Sequence, residues 1–265
     1  MRARPRPLRR GIPLRAIAPN AVTALALCSG LTGVRFAIGG EWERAVLMIM
    51  IAGALDGIDG QIARMIRGET RFGAELDSLS DAISFGVAPA LILYLWSLMY
   101  VPKIGWIVAL LYAVFCALRL ARFNAQIDKA DQPRKLAGYL TGIPAPAGAA
   151  LAMLPIYIWL WSEEPVARSP WIVTPWVAFV GLLMVSSIAT YSWKSLRLRR
   201  HVRFEALVVL VIALAALVTA PWQTLTVICI GYLATLPFSL RAYRRSLKPQ
   251  RAAAPQPPVA PPDAS

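Results

Sequence analysis

Four aspartates recur at fixed spacing, as Asp56-x-x-Asp59-Gly60-x-x-Ala63-Arg64, then eight residues, then Gly73-x-x-x-Asp77-x-x-x-Asp81. The first pair closes the apolar run Ala45–Ala63 and the second opens the apolar run Ala82–Val101. A carboxylate at membrane depth costs about 2.5–3.5 kcal/mol on insertion scales, so four in close succession need compensation. Divalent cations with oxygen ligands supply it. Two such ions a few ångströms apart are suited to in-line displacement at phosphorus.

On helices, Asp56 and Asp59 are i,i+3 neighbours and Asp77 and Asp81 are i,i+4 neighbours, so each pair projects from one face. The connection Met65–Thr70 is short, basic and contains Gly68. It predicts two antiparallel helices whose acidic faces meet around a pair of metal ions. The plainer reading pairs these carboxylates with Arg64, Arg67 and Arg71 at a loop edge. Surface ion pairs, however, do not require this order of Gly, Ala and Asp.

The elements that carry the aspartates belong to a membrane chain. Of 265 residues, 57% are hydrophobic and 16% charged, a composition that predicts an all-α integral membrane protein. Eight segments reach spanning length: Pro19–Ile38, Arg44–Met65, Phe72–Tyr100, Ile104–Arg122, Leu140–Trp161, Trp171–Trp193, Arg203–Ala220 and Trp222–Leu240. Residues 1–18 form a basic N-terminal segment, 19–193 the membrane core, 203–240 a further hairpin, and 248–265 a Pro/Ala-rich tail expected to be disordered.

The net charge of +14 follows this topology rather than nucleic acid binding. Every Lys and Arg except Arg35, Arg44, Lys103 and Arg168 falls on alternate connections, counted from the N-terminus. The positive-inside rule then places both termini and the aspartates at the cytoplasmic face of the cell membrane, where basic clusters favour anionic lipid. The first apolar run is followed by seven more, so a cleaved signal peptide is not expected. Cys28, Cys116 and Cys229 all lie in spans, without disulfide or metal spacing. His201, the only histidine, lies in a basic interfacial run. Glu163 and Glu164 fall in an outer loop.

The aspartate pattern resembles the signature of the CDP-alcohol phosphotransferase family, D-x2-D-G-x2-A-R-x8-G-x3-D-x3-D, with every specified position filled. The resemblance implies transfer of a phosphatidyl or similar group from a CDP-linked donor to an alcohol, with release of CMP. It implies a six-helix core, here followed by two C-terminal helices, and a homodimer. It also implies two Mg²⁺ or Mn²⁺ ions, with Asp56 and Asp77 bridging both, Asp59 completing one, and Asp81 completing the other. Asp81 is also the expected general base. Asn20, Gly60, Ala63, Arg64, Thr70 and Gly73 are the expected donor-binding positions. For Gly60 and Gly73, close helix packing is the alternative, and for Asn20 a helix cap.

Three stretches point to the acceptor: the run from Ser78 to Ala90 after the second aspartate pair, Arg119-Leu120-Ala121-Arg122-Phe123-Asn124, and Gly142-Ile143-Pro144-Ala145-Pro146-Ala147. They are similar to the serine-accepting branch of the family in bacteria. That branch implies CDP-diacylglycerol as donor, L-serine as acceptor and phosphatidylserine as product. Relatives that use glycerol phosphate or inositol phosphate typically carry Lys or Arg directly after the fourth aspartate; here Ala82 stands there. Arg119 and Arg122 are candidates to hold the acceptor carboxylate or a donor phosphate, and headgroup snorkelling is the alternative. Asn124 is a further polar candidate.

Two other functions remain open on these residues. The same site with choline or a phosphorylated alcohol would make a different lipid. An ion-coupled transporter would use intramembrane aspartates to bind ions, but the aspartates lie near one face and no inverted repeat is evident.

Overall fold

A lipid-embedded backbone finds hydrogen-bond partners only within itself, so the apolar runs of this chain are dictated to be helical. The computed structural model describes residues 14–65, 70–101, 103–127, 139–186, 189–191 and 202–252. Its helices are α1 (Leu14–Ile38), α2 (Trp42–Met65), α3 (Arg71–Asp81), α4 (Ala88–Trp96), α5 (Ile104–Ile127), α6 (Ala145–Ala152), α7 (Leu154–Ser162), α8 (Pro170–Val185), α9 (Val202–Thr219) and α10 (Pro221–Ala252). A π-helical stretch, Ala82–Val87, joins α3 to α4 without interrupting the rod.

Ile17–Ile38, Trp42–Ile62, Arg71–Trp96 and Ile104–Ala125 are each long and apolar enough to cross a membrane, and α6 with α7 makes a fifth if the bent pair is one span. The chain is therefore a multi-pass membrane protein. The expected count of eight is not reached among the described residues: α8 is apolar but only 16 residues long, and α9 and α10 are not among these spans. Its C-terminus lies at Val185, well short of the expected Trp193.

Two prolines shape the bundle in the same way. A proline has no N–H to give the carbonyl four residues back. Four residues before Pro89 the carbonyl is that of Phe85, and the Tyr112 hydroxyl on α5 donates to it at 3.0 Å. At Pro155 it is Leu151, and the Trp176 indole on α8 donates to it at 2.8 Å. The first proline follows the π stretch; the second accompanies a 41° bend between α6 and α7. Tyr112, Phe85, Met153 and Ile156 are fully buried in the core that these helices share.

Three boundaries differ from expectation. Helix α1 begins at Leu14, upstream of Pro19, which lies inside it. The span expected from Leu140 starts instead at Ala145. Ile143 precedes Pro144, which disfavours helix at that residue, and Gly142 has φ +76°. A side chain at Gly142 would also strike the Met184 carbonyl oxygen at 2.6 Å. Upstream of this turn, Tyr139–Thr141 pairs antiparallel with Ala189–Tyr191. This is the one strand pairing among the described residues. Helix α10 runs to Ala252, into the segment expected as a tail. The remaining tail, the basic run around His201 and the connection at residues 66–69 lie outside the described residues.

At the end of the bundle where α2 begins and α4 finishes, Arg168 makes a clamp. Its Nε donates to the Trp96 carbonyl at 2.9 Å, and Ser97 Oγ donates to the Arg168 carbonyl at 2.7 Å. Its guanidinium lies 5.7 Å from the Trp42 ring centroid, 5.6 Å from that of Trp159 and 6.0 Å from that of Tyr100.

Candidate active site: a carboxylate cluster held by three helices

Helix α2 carries Asp56 and Asp59 in its C-terminal half, and α3 carries Asp77 and Asp81 in its last two turns. With a rise of 1.5 Å per residue, Asp81 stands about 22 Å from the Trp96 end of its rod. The cluster and the Arg168 clamp thus occupy opposite ends of the bundle.

The expected meeting of acidic faces occurs. Asp56, Asp59 and Asp77 each offer a carboxylate oxygen within 4.8 Å of the others. The Asp81 carboxyl reaches that of Asp56 within hydrogen-bonding range. Among the described residues the only ion pair is Arg44 with Glu41, so Arg71 does not neutralise the cluster. Arg67 lies outside the described residues, and of Ala63 and Arg64 only the α2 backbone is described. Carboxylate oxygens clustered in this way are the donor set that hard divalent ions prefer. The acidic triad can therefore hold a metal ion.

The cluster is shaped from α1. Thr23 is buried, and its hydroxyl lies 2.7 Å from Asp59 Oδ2 and 3.1 Å from the Pro19 carbonyl oxygen. The backbone carbonyl of Thr23 in turn accepts a hydrogen bond from Ser80 Oγ at 3.2 Å. Neither Thr23 nor Ser80 was singled out from sequence. The available signal was a polar residue one turn beyond Asn20 in an otherwise apolar run, and a serine between two aspartates.

Thr70 caps α3: its hydroxyl oxygen accepts from the Gly73 N–H at 3.0 Å. This satisfies one of the unpaired donors of the first turn. Gly73 lies so close to α1 that a Cβ there would meet Asn20 Oδ1 at 2.8 Å and Thr70 Oγ1 at 3.2 Å. Asn20, Thr70 and Gly73 are therefore brought together beside the cluster, and Asn20 lies within α1 rather than capping it. Gly60 is half-buried on α2.

The two arginines of α5 differ. Arg119 is half-buried and its positive charge acts on Asp81; its guanidinium carbon lies 5.9 Å from the Phe123 ring centroid. Its Nε is shielded from solvent and has no hydrogen-bond partner. Arg122 is exposed and donates to the Val185 carbonyl at 3.0 Å, at the end of α8. Arg119 thus faces the cluster while Arg122 ties α5 to α8. Asn124 donates to Ser78 Oγ at 2.8 Å, next to Asp77.

Comparison with known proteins agrees with this constellation. A family model described as CDP-alcohol phosphatidyltransferase matches residues 16–193, and another, CDP-alcohol phosphatidyltransferase 2, matches residues 202–237. The chain is 40% identical over 236 residues to a CDP-diacylglycerol–serine O-phosphatidyltransferase of Mycobacterium tuberculosis, covering 89% of this chain and 82% of the relative. The protein of that name from Mycobacterium leprae is 38% identical over 244 residues, covering 92% of this chain and 80% of the relative. The one from Helicobacter pylori is 32% identical over 179 residues, covering 68% and 73%. With its four aspartates and the match over its membrane core, this chain belongs to the CDP-alcohol phosphatidyltransferase family.

Proposed function

We propose that this protein transfers the phosphatidyl group of CDP-diacylglycerol to the hydroxyl of L-serine, giving phosphatidylserine and CMP. The carrying observation is the convergence of Asp56, Asp59, Asp77 and Asp81 at one end of the bundle, in a chain whose relatives bear that activity in their names.

In this reading the four aspartates hold two Mg²⁺ or Mn²⁺ ions. Bound there, the ions neutralise the donor pyrophosphate and stabilise the departing CMP. Asp81 takes the proton of the serine hydroxyl as that oxygen forms its bond to the phosphorus bearing the diacylglycerol. The bond from this phosphorus to the CMP oxygen breaks in the same displacement. Arg119, whose positive charge acts on Asp81 and which has an unpaired buried donor, is suited to receive the serine carboxylate. The Asn20–Thr70–Gly73 corner is suited to the nucleotide, because the missing Gly73 side chain opens space against α1. Gly60 and Ala63 keep the facing wall of α2 free of bulk, and Arg64 pairs with a donor phosphate.

The arrangement in the membrane supports the same reading. A diacyl donor enters from the bilayer while its cytidine stays at the cytoplasmic interface, where the distribution of Lys and Arg puts the aspartates. Helices α8, α9 and α10 complete eight spans, and the chain acts as a homodimer with both termini in the cytoplasm.

The test is CMP release by the purified protein in detergent with CDP-diacylglycerol and Mn²⁺ or Mg²⁺, adding one acceptor at a time. Release with serine, lost with EDTA, is the expected result. Release with choline, glycerol 3-phosphate or inositol phosphate instead keeps the family chemistry and overturns the acceptor.

A further inference from the structure

Helix α1 contributes no aspartate to the cluster, yet it touches both helices that do. Thr23 lies at the junction: its side chain reaches Asp59 of α2, and its main chain receives Ser80 of α3. All three residues are at most 5% exposed. Water therefore does not compete for these bonds, and a buried carboxylate oxygen without a donor would be costly. The hydroxyl has one proton and two acceptors within reach, and the shorter contact is to the carboxylate, at 2.7 Å against 3.1 Å for the Pro19 carbonyl. A charge-assisted bond of that length is the stronger of the two.

We infer that Thr23 is a positioning residue for the metal centre, orienting the Asp59 carboxylate for divalent cation binding by a hydrogen bond from outside the ligand set. One Asp59 oxygen is engaged by Thr23, which fixes the side chain about its last torsion. The carboxylate then holds one orientation toward Asp56 and Asp77, instead of being ordered only when a cation arrives. Thr23 is β-branched and within a helix, so its own rotamer is restricted. Its backbone is further tied by Ser80, from the turn between Asp77 and Asp81. Both halves of the ligand set are thereby referenced to one residue of α1. Outer-shell partners of metal ligands typically contribute 10- to 100-fold in affinity.

This inference rests on the metal-dependent reading above, and the experiment separates the two. Mn²⁺ binding to the purified full-length protein, without substrate, is measured by electron paramagnetic resonance titration. Thr23→Val keeps volume and branching but removes the donor; about a 10-fold or greater rise in the Mn²⁺ dissociation constant is expected. Thr23→Ser keeps the hydroxyl and retains affinity within about threefold of the unmodified protein. Ser80→Ala removes the bond to the Thr23 carbonyl without touching a carboxylate, and its effect is the smaller of the two losses. Thermal midpoints and size-exclusion profiles confirm that each variant is folded, and Thr23→Ser carries the test if Thr23→Val does not fold. Mn²⁺ affinity unchanged in folded Thr23→Val, equal losses in Thr23→Val and Ser80→Ala, or loss in Thr23→Ser as well, would overturn the positioning role. Absence of Mn²⁺ binding by the unmodified protein would overturn the metal reading, and this inference with it.

Discussion

The Tyr112 hydroxyl on α5 donates to the carbonyl of Phe85, four residues before Pro89. Phe85 lies in the π-helical stretch Ala82–Val87, which begins directly after Asp81. Such stretches interrupt the regular i→i−4 ladder and recur at functional sites. Here the stretch keeps α3 and α4 in one rod, and Tyr112 hydrogen-bonds to its Phe85 carbonyl.

Tyr112→Phe leaves the buried Phe85 carbonyl without its side-chain donor. A loss of about 1 kcal/mol in stability is expected, the usual scale for buried hydrogen bonds in membrane bundles. The thermal midpoint in detergent reads it out. Adding Pro89→Ala, which restores a backbone N–H, should make the double variant less damaged than the additive sum; strict additivity would detach the tyrosine from the proline.

Asp56→Asn, Asp59→Asn, Asp77→Asn and Asp81→Asn should each reduce CMP release by at least about 100-fold while leaving the folded protein intact, and chelation should do the same to the unmodified protein. For Asp81 the loss reflects a missing proton acceptor as well as a missing ligand; general-base catalysis is typically worth 10²–10⁴-fold. Retention of more than about a tenth of the activity by Asp81→Asn would remove it from that role.

Gly73→Ala places a methyl group against Asn20 Oδ1. Overpacking of this kind costs about 1–3 kcal/mol, and here it should appear as weakened CDP-diacylglycerol use rather than weakened serine use. Shortening the partner with Asn20→Ala should relieve the clash, so activity of the double variant above that of Gly73→Ala is the expected sign. Steady-state kinetics in both substrates decides it.

The two arginines of α5 should separate cleanly. Arg119→Ala should raise the KM for serine by about 10- to 100-fold, the range for a lost hydrogen bond to a charged group. Arg122→Ala should leave that KM alone and lower the thermal midpoint, because it frees the Val185 carbonyl at the end of α8. A serine KM unchanged in Arg119→Ala would move the acceptor site elsewhere.

The cluster was legible because its spacing is helical. Asp56 and Asp59, or Asp77 and Asp81, share a face in any α-helix, and apolar flanks ensure that these are helices. Thr23 was not legible, because its contact with Asp59 spans 36 residues and depends on how α1 lies against α2. Hydropathy located the runs but not their breaks. It continued the fifth span back through Gly142, whose positive φ, followed by Pro144, fixes the true start of α6. It also could not distinguish the π stretch from ordinary helix. Apolar Leu120 and Ala121 mark Arg119 as the deeper of the two arginines in sequence, whereas the tie of Arg122 to Val185 depends on how α8 packs against α5.

Arg168 fastens α4 to the start of α8 by two hydrogen bonds and sits among the rings of Trp42, Tyr100 and Trp159, a full helix length from the aspartates. The bundle is consequently fastened at both ends, by Arg168 at one and by the bonds of Thr23, Ser80 and Asn124 at the other. Loosening that distant joint would cost the enzyme its geometry without altering any atom that meets substrate.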